Sequence, residues 1–141
     1  RWLLFHNKVR NLYKTKNVKW SEEVAKSAQI VADTCEFKHS GGKYGENIAA
    51  GQVDIQAVVN DWSYRSDECQ AYDPDNPIFS HFTQILWKST TEIGCAIKQC
   101  NVVGLTDLKN SKYYVCQYNP PGNYLGQFQA NVNSGKGQCI K

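Results

Sequence analysis

The chain reads as an α+β fold in which helices cover an antiparallel sheet, and two observations predict it. The first half places apolar side chains at helical spacing, whereas the second half changes period and becomes rich in β-branched and aromatic residues. Helices first and strands later is the order of an α+β domain, not of alternating β–α units. A chain of 141 residues is most economically one domain spanning residues 1–141, because that length buries roughly 70% of its unfolded surface.

Each element follows from local residues. Residues 2–13 predict a helix with Trp2, Phe5, Val9 and Tyr13 on one stripe. Ser21 is a good N-cap for a second helix, with Glu22 and Glu23 in the first turn and Val24, Ala28, Val31, Ala32 and Cys35 at helical spacing. Asp54 caps a third carrying Ile55, Val58, Val59 and Trp62, and Phe82–Trp87 is a short fourth. Ile93–Lys98 and Lys112–Tyr118 read as strands, with Asn101–Ser111 as a long hairpin connection containing Gly104 and Asp107. Pro120-Pro121-Gly122-Asn123 signals a turn.

Composition excludes several classes. Hydrophobic residues are 41% and charged residues 21%, ordinary for a globular protein. The longest apolar runs, Trp2–Phe5 and Ile55–Val59, fall far short of the roughly 20 residues of a membrane helix, so no transmembrane segment is expected. Net charge is +3 with the cations scattered, and without a basic stripe no nucleic-acid partner is expected. Six cysteines, an even number with no C-x-x-C, suit an oxidising compartment and a secreted protein. Cys95 and Cys100, five apart on a strand, face opposite sides and cannot pair with each other. The first residue is Arg1 without a leader-like segment, so a secretory leader is expected to have been removed. The absence of an N-x-S/T acceptor leaves N-glycosylation unexpected.

The densest polar constellation is His39, Glu46 and His81. Glycines bracket the first two in His39-Ser40-Gly41-Gly42-Lys43-Tyr44-Gly45-Glu46-Asn47 and allow the backbone to turn both side chains into one cavity. Two imidazoles and a carboxylate suit zinc or copper with positions left for water. The same groups also suit a loop fixed by mutual hydrogen bonds, and spacing alone leaves both readings open. The chain has neither a G-x-S-x-G elbow nor an H-E-x-x-H, so an orthodox hydrolase is excluded.

Three segments then carry a family resemblance. Gly45-Glu46-Asn47-Ile48-Ala49, His81-Phe82-Thr83-Gln84-Ile85-Leu86-Trp87 and Tyr114-Val115-Cys116-Gln117-Tyr118-Asn119-Pro120-Pro121-Gly122-Asn123 resemble signatures of the CAP superfamily. This group comprises cysteine-rich secretory proteins, antigen 5 and the plant pathogenesis-related proteins of group one. His6-Asn7-x-x-Arg10 and Trp20-Ser21 also match, so the likeness runs from about Trp2 to Phe128. Ser80 before His81, and Tyr72-Asp73-Pro74-x-Asn76-Pro77, are most similar to fungal members.

The resemblance implies an α-β-α sandwich with a central cleft lined by two His and two Glu, where some members bind zinc. His39, Glu46 and His81 carry over. The position three residues after the helix-three Trp holds Arg65, so Glu68, four before Tyr72, is taken as the fourth member after an insertion at 64–67. The implied metal ligands are His39 and His81, for zinc or another divalent ion, with no cofactor needed for folding. The resemblance also implies disulfides Cys35–Cys100 and Cys95–Cys116, which leaves Cys69 and Cys139 for each other.

Fungal relatives bind sterols, and some members bind fatty acids between two helices. The resemblance therefore implies extracellular sterol or fatty-acid binding in a host–pathogen or defence setting, without enzyme activity. Tyr72, Ile78 and Phe79 are the expected apolar contacts, with Pro74 and Pro77 limiting the loop. The alternative is a secreted effector acting on an extracellular protein partner. Behind it stands a metal-dependent hydrolase using His39, His81 and a Glu.

Overall fold

The computed structural model describes residues 1–104 and 107–141. Helix α1 (Trp2–Leu12) leads through β1 (Lys19–Trp20) to α2 (Glu22–Asp33), then β2 (Glu36–Phe37) and β3 (Gly45–Ala50). Helix α3 (Ile55–Tyr64), a 3-10 turn at Cys69–Ala71 and α4 (His81–Leu86) follow. The long strands β4 (Glu92–Gly104) and β5 (Leu108–Asn119) and the short α5 (Phe128–Asn131) complete the order.

The caps form where the side chains dictate. Ser21 accepts from the Val24 amide, and Asp54 accepts from the Ala57 amide. Ser80 caps α4 in a reciprocal box with Thr83. The expected connection Asn101–Ser111 is shorter than the sequence suggests: β4 runs to Gly104 and β5 begins at Leu108. A bulge between Cys100 and Val102 absorbs the odd residue and lets Val102 pair with Leu108. Within that connection, Leu105 and Thr106 lie outside the described residues.

The sheet runs β1-β4-β5-β3, with β2 also on β4. The two expected strands, β4 and β5, are antiparallel and β3 joins β5 in the same sense, but the two-residue strands β1 and β2 join β4 in parallel. These short pairings are read only in three dimensions, because two residues carry no periodicity. Strand β3 was not expected either. Gly45–Ala50 is a strand because β5 pairs with it along its length, Glu46 opposite Gln117 and Ile48 opposite Val115.

Alternation along β5 sorts the core into two layers. Tyr114, Cys116 and Tyr118 face a core with Trp2, Val9, Val58, Trp62, Phe82 and Ile85 from α1, α3 and α4. Tyr113 and Val115 face Ala28 and Ala32 of α2. Helices therefore lie on both faces, and the α-β-α sandwich is the observed architecture. Helix α2 sits so close to β4 that a Cβ at Gly94 would fall on the backbone of Val24 and Ala25.

All six cysteines are paired as Cys35–Cys100, Cys95–Cys116 and Cys69–Cys139. Cys95 and Cys116 stand in register on neighbouring strands. Cys95 and Cys100 lie in different core layers, as their odd spacing requires. The third bond joins the 3-10 turn to the C-terminal segment, which the Tyr13 hydroxyl also holds by accepting from the Ile140 amide at 2.9 Å. No described helix is long and apolar enough to cross a membrane.

Candidate functional site

The two histidines enter the site on different supports. His39 stands in the chain between β2 and β3, and Glu46 is the second residue of β3. His39 Nδ1 lies 3.0 Å from Glu46 Oε1, which also accepts from the Ser40 amide at 2.9 Å. Glu46 Oε2 accepts from Ser40 Oγ and from Gln117 Nε2, both at 2.8 Å. Burial would push the Glu46 carboxyl up, but the bonds from His39, Gln117 and Ser40 win and hold it below its ordinary value. The bond to Glu46 in turn raises His39 above its ordinary value, against the opposing effect of burial.

His81 is the first residue of α4, and its Nδ1 lies 2.6 Å from Glu68 Oε2. Glu68 Oε1 accepts from the Phe82 amide at 2.9 Å, so one carboxylate anchors both the imidazole and the start of the helix. The Trp62 ring stacks on His81 at 5.6 Å between centroids. Glu68 thus stands directly beside His81, whereas Arg65 closes α3 in extended geometry and lines both a cavity shared with Glu68 and His81 and a separate groove against α1.

His39, Glu46, Glu68 and His81 line one cavity of about 280 Å³ with Asn47, Asp67 and Asn123. A second cavity of about 260 Å³ shares Asp67, Glu68 and His81, so the two form a continuous cleft. The carboxylates are spent on orienting the imidazoles, as carboxylates do behind metal-bound histidines. The two Nε2 atoms make no hydrogen bond among the described residues and remain as nitrogen donors, and no group of three or more His, Cys, Asp or Glu among those residues is arranged around one ion. The donor set fits an ion held by two nitrogens and water, not a closed structural site.

Sequence reasoning missed the groups behind the cleft. His6 is fully buried and meets the Trp2 carbonyl through Nδ1 at 2.9 Å and the Tyr118 hydroxyl through Nε2 at 2.7 Å. Burial pushes it down to about 4, so it is neutral at pH 7. The carbonyl can only accept, so Nδ1 carries the proton and Nε2 accepts from Tyr118. Asn47 Nδ2 then donates to Tyr118 and to the His81 carbonyl, both at 3.2 Å, tying α1 to the cleft floor. The register signal for Gln117 lies in its place opposite Glu46.

The expected lipid loop divides. Tyr72 is 1% exposed and packs against Phe82, so its reading as an exposed contact is corrected. It starts a segment that is tied down: the Tyr72 carbonyl accepts from the Gly137 amide at 2.8 Å. Pro74 and Pro77 are half-buried, and the Pro74 carbonyl accepts from Gln129. Ile78 and Phe79 are exposed at 49% and 59%, and Phe79 also lines the cleft. Tyr124 and Leu125, beyond Asn123, are further exposed apolar side chains. Asn123 holds that segment to the α4 cap through Ser80 and Thr83.

Comparison with known proteins agrees with this fold. Residues 3–118 match the model of the CAP, or cysteine-rich secretory protein, family. A Candida albicans protein named as a probable pathogenesis-related protein is 42% identical over 131 residues, covering 90% of this chain and 62% of its own length. A second, named secreted protein RBT4, is 38% identical over 86% of this chain and 34% of its own length. The chain thus spans from about a third to three-fifths of these curated relatives. The crystal structure of NaASP2 with Zn2+ superposes with a TM-score of 0.69 at 23% identity, over 97% of this chain and 84% of that one, a likeness of fold. With its two-layered core, its paired His–Glu cleft and its matched residues 3–118, this chain belongs to the cysteine-rich secretory protein (CAP) family.

Proposed function

We propose that this chain is a secreted protein that binds an apolar lipid, a sterol or a fatty acid, and is not an enzyme. The observation that carries the reading is a groove of about 470 Å³ between α1 and α3. Phe5, Val9, Leu12, Val59 and Tyr64 supply apolar walls, and Lys8, Arg65 and Lys141 supply cations for a carboxylate. Its volume lies within the range of small-ligand sites. A flat sterol is better served by Phe79, which lines the cleft, and its exposed neighbour Ile78, where covering each half-exposed side chain contributes about 1 kcal/mol. Three disulfides and a relative named as a secreted protein support the extracellular assignment. The family domain is proposed to run through the C-terminal segment, since Cys139 is bonded back to Cys69.

Catalysis is disfavoured because the cleft hydroxyls are committed elsewhere. Ser40 Oγ donates to Glu46, and Ser80 Oγ accepts from the Thr83 amide, so neither is paired with an imidazole base. Equilibrium binding of labelled cholesterol and of a long-chain fatty acid tests the proposal. Leu12→Glu should abolish fatty-acid binding, and Ile78→Ala with Phe79→Ala should weaken cholesterol about fivefold each. A parent protein that binds neither lipid saturably would overturn it.

The two free Nε2 atoms favour a second, compatible reading: weak divalent-metal binding by His39 and His81, each held by a carboxylate. Metal requires neutral imidazole, so affinity should fall as pH drops through the raised value of His39. Zinc titrations at pH 7.5 and below pH 6 check this, and equal affinity at both would exclude histidine ligation.

A further inference from the structure

A separate cavity of about 340 Å³ lies where the turn after α1 meets the segment after α4. Its lining residues are Lys14, Thr15, Lys16, Lys88 and Asn133, none of which lines the cleft or the α1–α3 groove. Three of the five are lysines and none is acidic. Among the described residues none of these three ammonium groups makes an ion pair. Like charges brought to one concavity repel each other and raise the local concentration of anions.

The backbone holds this arrangement firmly. Arg10, 1% exposed, reaches both walls at once: its Nε donates to the Lys16 carbonyl at 2.6 Å, and Nη1 donates to the Ile85 and Trp87 carbonyls at 2.8 and 2.9 Å. Among the described residues its partners are carbonyl oxygens, of Lys16, Ile85, Trp87 and Thr90, and no carboxylate pairs with it. Burial pushes Arg10 down to about 10, which still leaves it charged at neutral pH. Lys14 adopts a φ of 54° just past the end of α1, where glycine or asparagine is usual. The Lys14 carbonyl accepts from Asn133 Nδ2 at 3.3 Å, and the Lys88 amide donates to the Asn131 carbonyl at 2.9 Å.

We propose that this cavity is an oxyanion site for a phosphate or sulfate ester carried on a sugar, with Lys14, Lys16 and Lys88 as its cations. The size is at the small end of ligand cavities, too large for a bare anion and suited to a monosaccharide. The non-lysine residues of the lining are Thr15 and Asn133, whose hydroxyl and amide match sugar hydroxyls. The Thr15 hydroxyl donates to the Tyr13 carbonyl and keeps its lone pairs for an incoming hydroxyl.

Calorimetric titration with glucose 6-phosphate and with glucosamine 6-sulfate, at low and high salt, tests the site and separates the two ester sources. The parent is expected to bind at least one saturably, more weakly as salt rises. Lys14→Ala and Lys88→Ala should each weaken binding by about threefold to tenfold, the range for one net hydrogen bond made in solvent. Lys26→Ala, an exposed lysine on α2, should leave it unchanged. All these positions are exposed, and a thermal melt of each variant keeps folding apart from binding. No saturable binding by the parent, or an equal loss in Lys26→Ala, would overturn the proposal.

Discussion

The two His–Glu pairs use the same chemistry on different foundations. In both, a nearly buried carboxylate holds Nδ1 of the imidazole; the Glu46 and Glu68 side chains are 6% and 5% exposed. The imidazoles differ, at 63% exposure for His39 and 35% for His81. His81 begins a helix, stacks on Trp62 and shares its carboxylate with the Phe82 amide. His39 sits between strands and shares its carboxylate with Ser40 and Gln117. A site is thereby made from one half built into a helix start and one half whose imidazole stands largely in solvent.

The sharpest way to break that comparison is Glu68→Ala. It strands the Phe82 amide and the His81 imidazole, and about 3 kcal/mol should be lost in a denaturant melt. Glu46→Ala should cost about half as much, since Ser40 can turn to water and only Gln117 is left in a buried setting. A loss equal to that of Glu68→Ala would mean that both halves are fixed alike. His39→Ala should change stability by about 0.5 kcal/mol or less, as expected for an exposed side chain.

The titration of His39, Glu46 and His6 sharpens the same contrast. His39 is raised, so its share of stability is full below the ordinary value of 6.5 and fades as pH climbs through the folded value. Glu46 is lowered, so its share is full above 4.5 and fades as pH falls through the folded value. The charged pair therefore acts mainly between those limits, and Glu46→Gln should return the His39 NMR midpoint towards 6.5. His6 runs the opposite way. Buried and neutral, it favours the fold above 6.5, and roughly 3 kcal/mol should drain away between 6.5 and about 4. An NMR midpoint for His6 near 6.5 would show the layer behind the cleft to be open to water.

Much of this was legible beforehand, and the exceptions share a cause. Ser21 and Asp54 mark helix starts because a capping oxygen acts within three residues, whereas the Ser80 cap, which starts α4 at His81 and not Phe82, was not read. Strand β3 was not legible, since Gly45–Ala50 has little strand character until β5 lies beside it. Tyr72 was misplaced for the same kind of reason. A tyrosine in a proline-bearing loop reads as exposed, and only Phe82 packed against it shows that it belongs to the core.

By itself the sequence determined the capped starts of α2 and α3, the two long strands and the oxidised cysteines, and it singled out His39, Glu46 and His81. Glu68 entered through family likeness, because its distance from Trp62 had shifted. The tertiary structure decided which carboxylate meets which imidazole, which half of the loop is buried, and which lysines share a cavity over Arg10. Caps and alternation act over one helical turn or one strand, whereas charges, rings and cavities combine side chains that are tens of residues apart. Only packing brings those together.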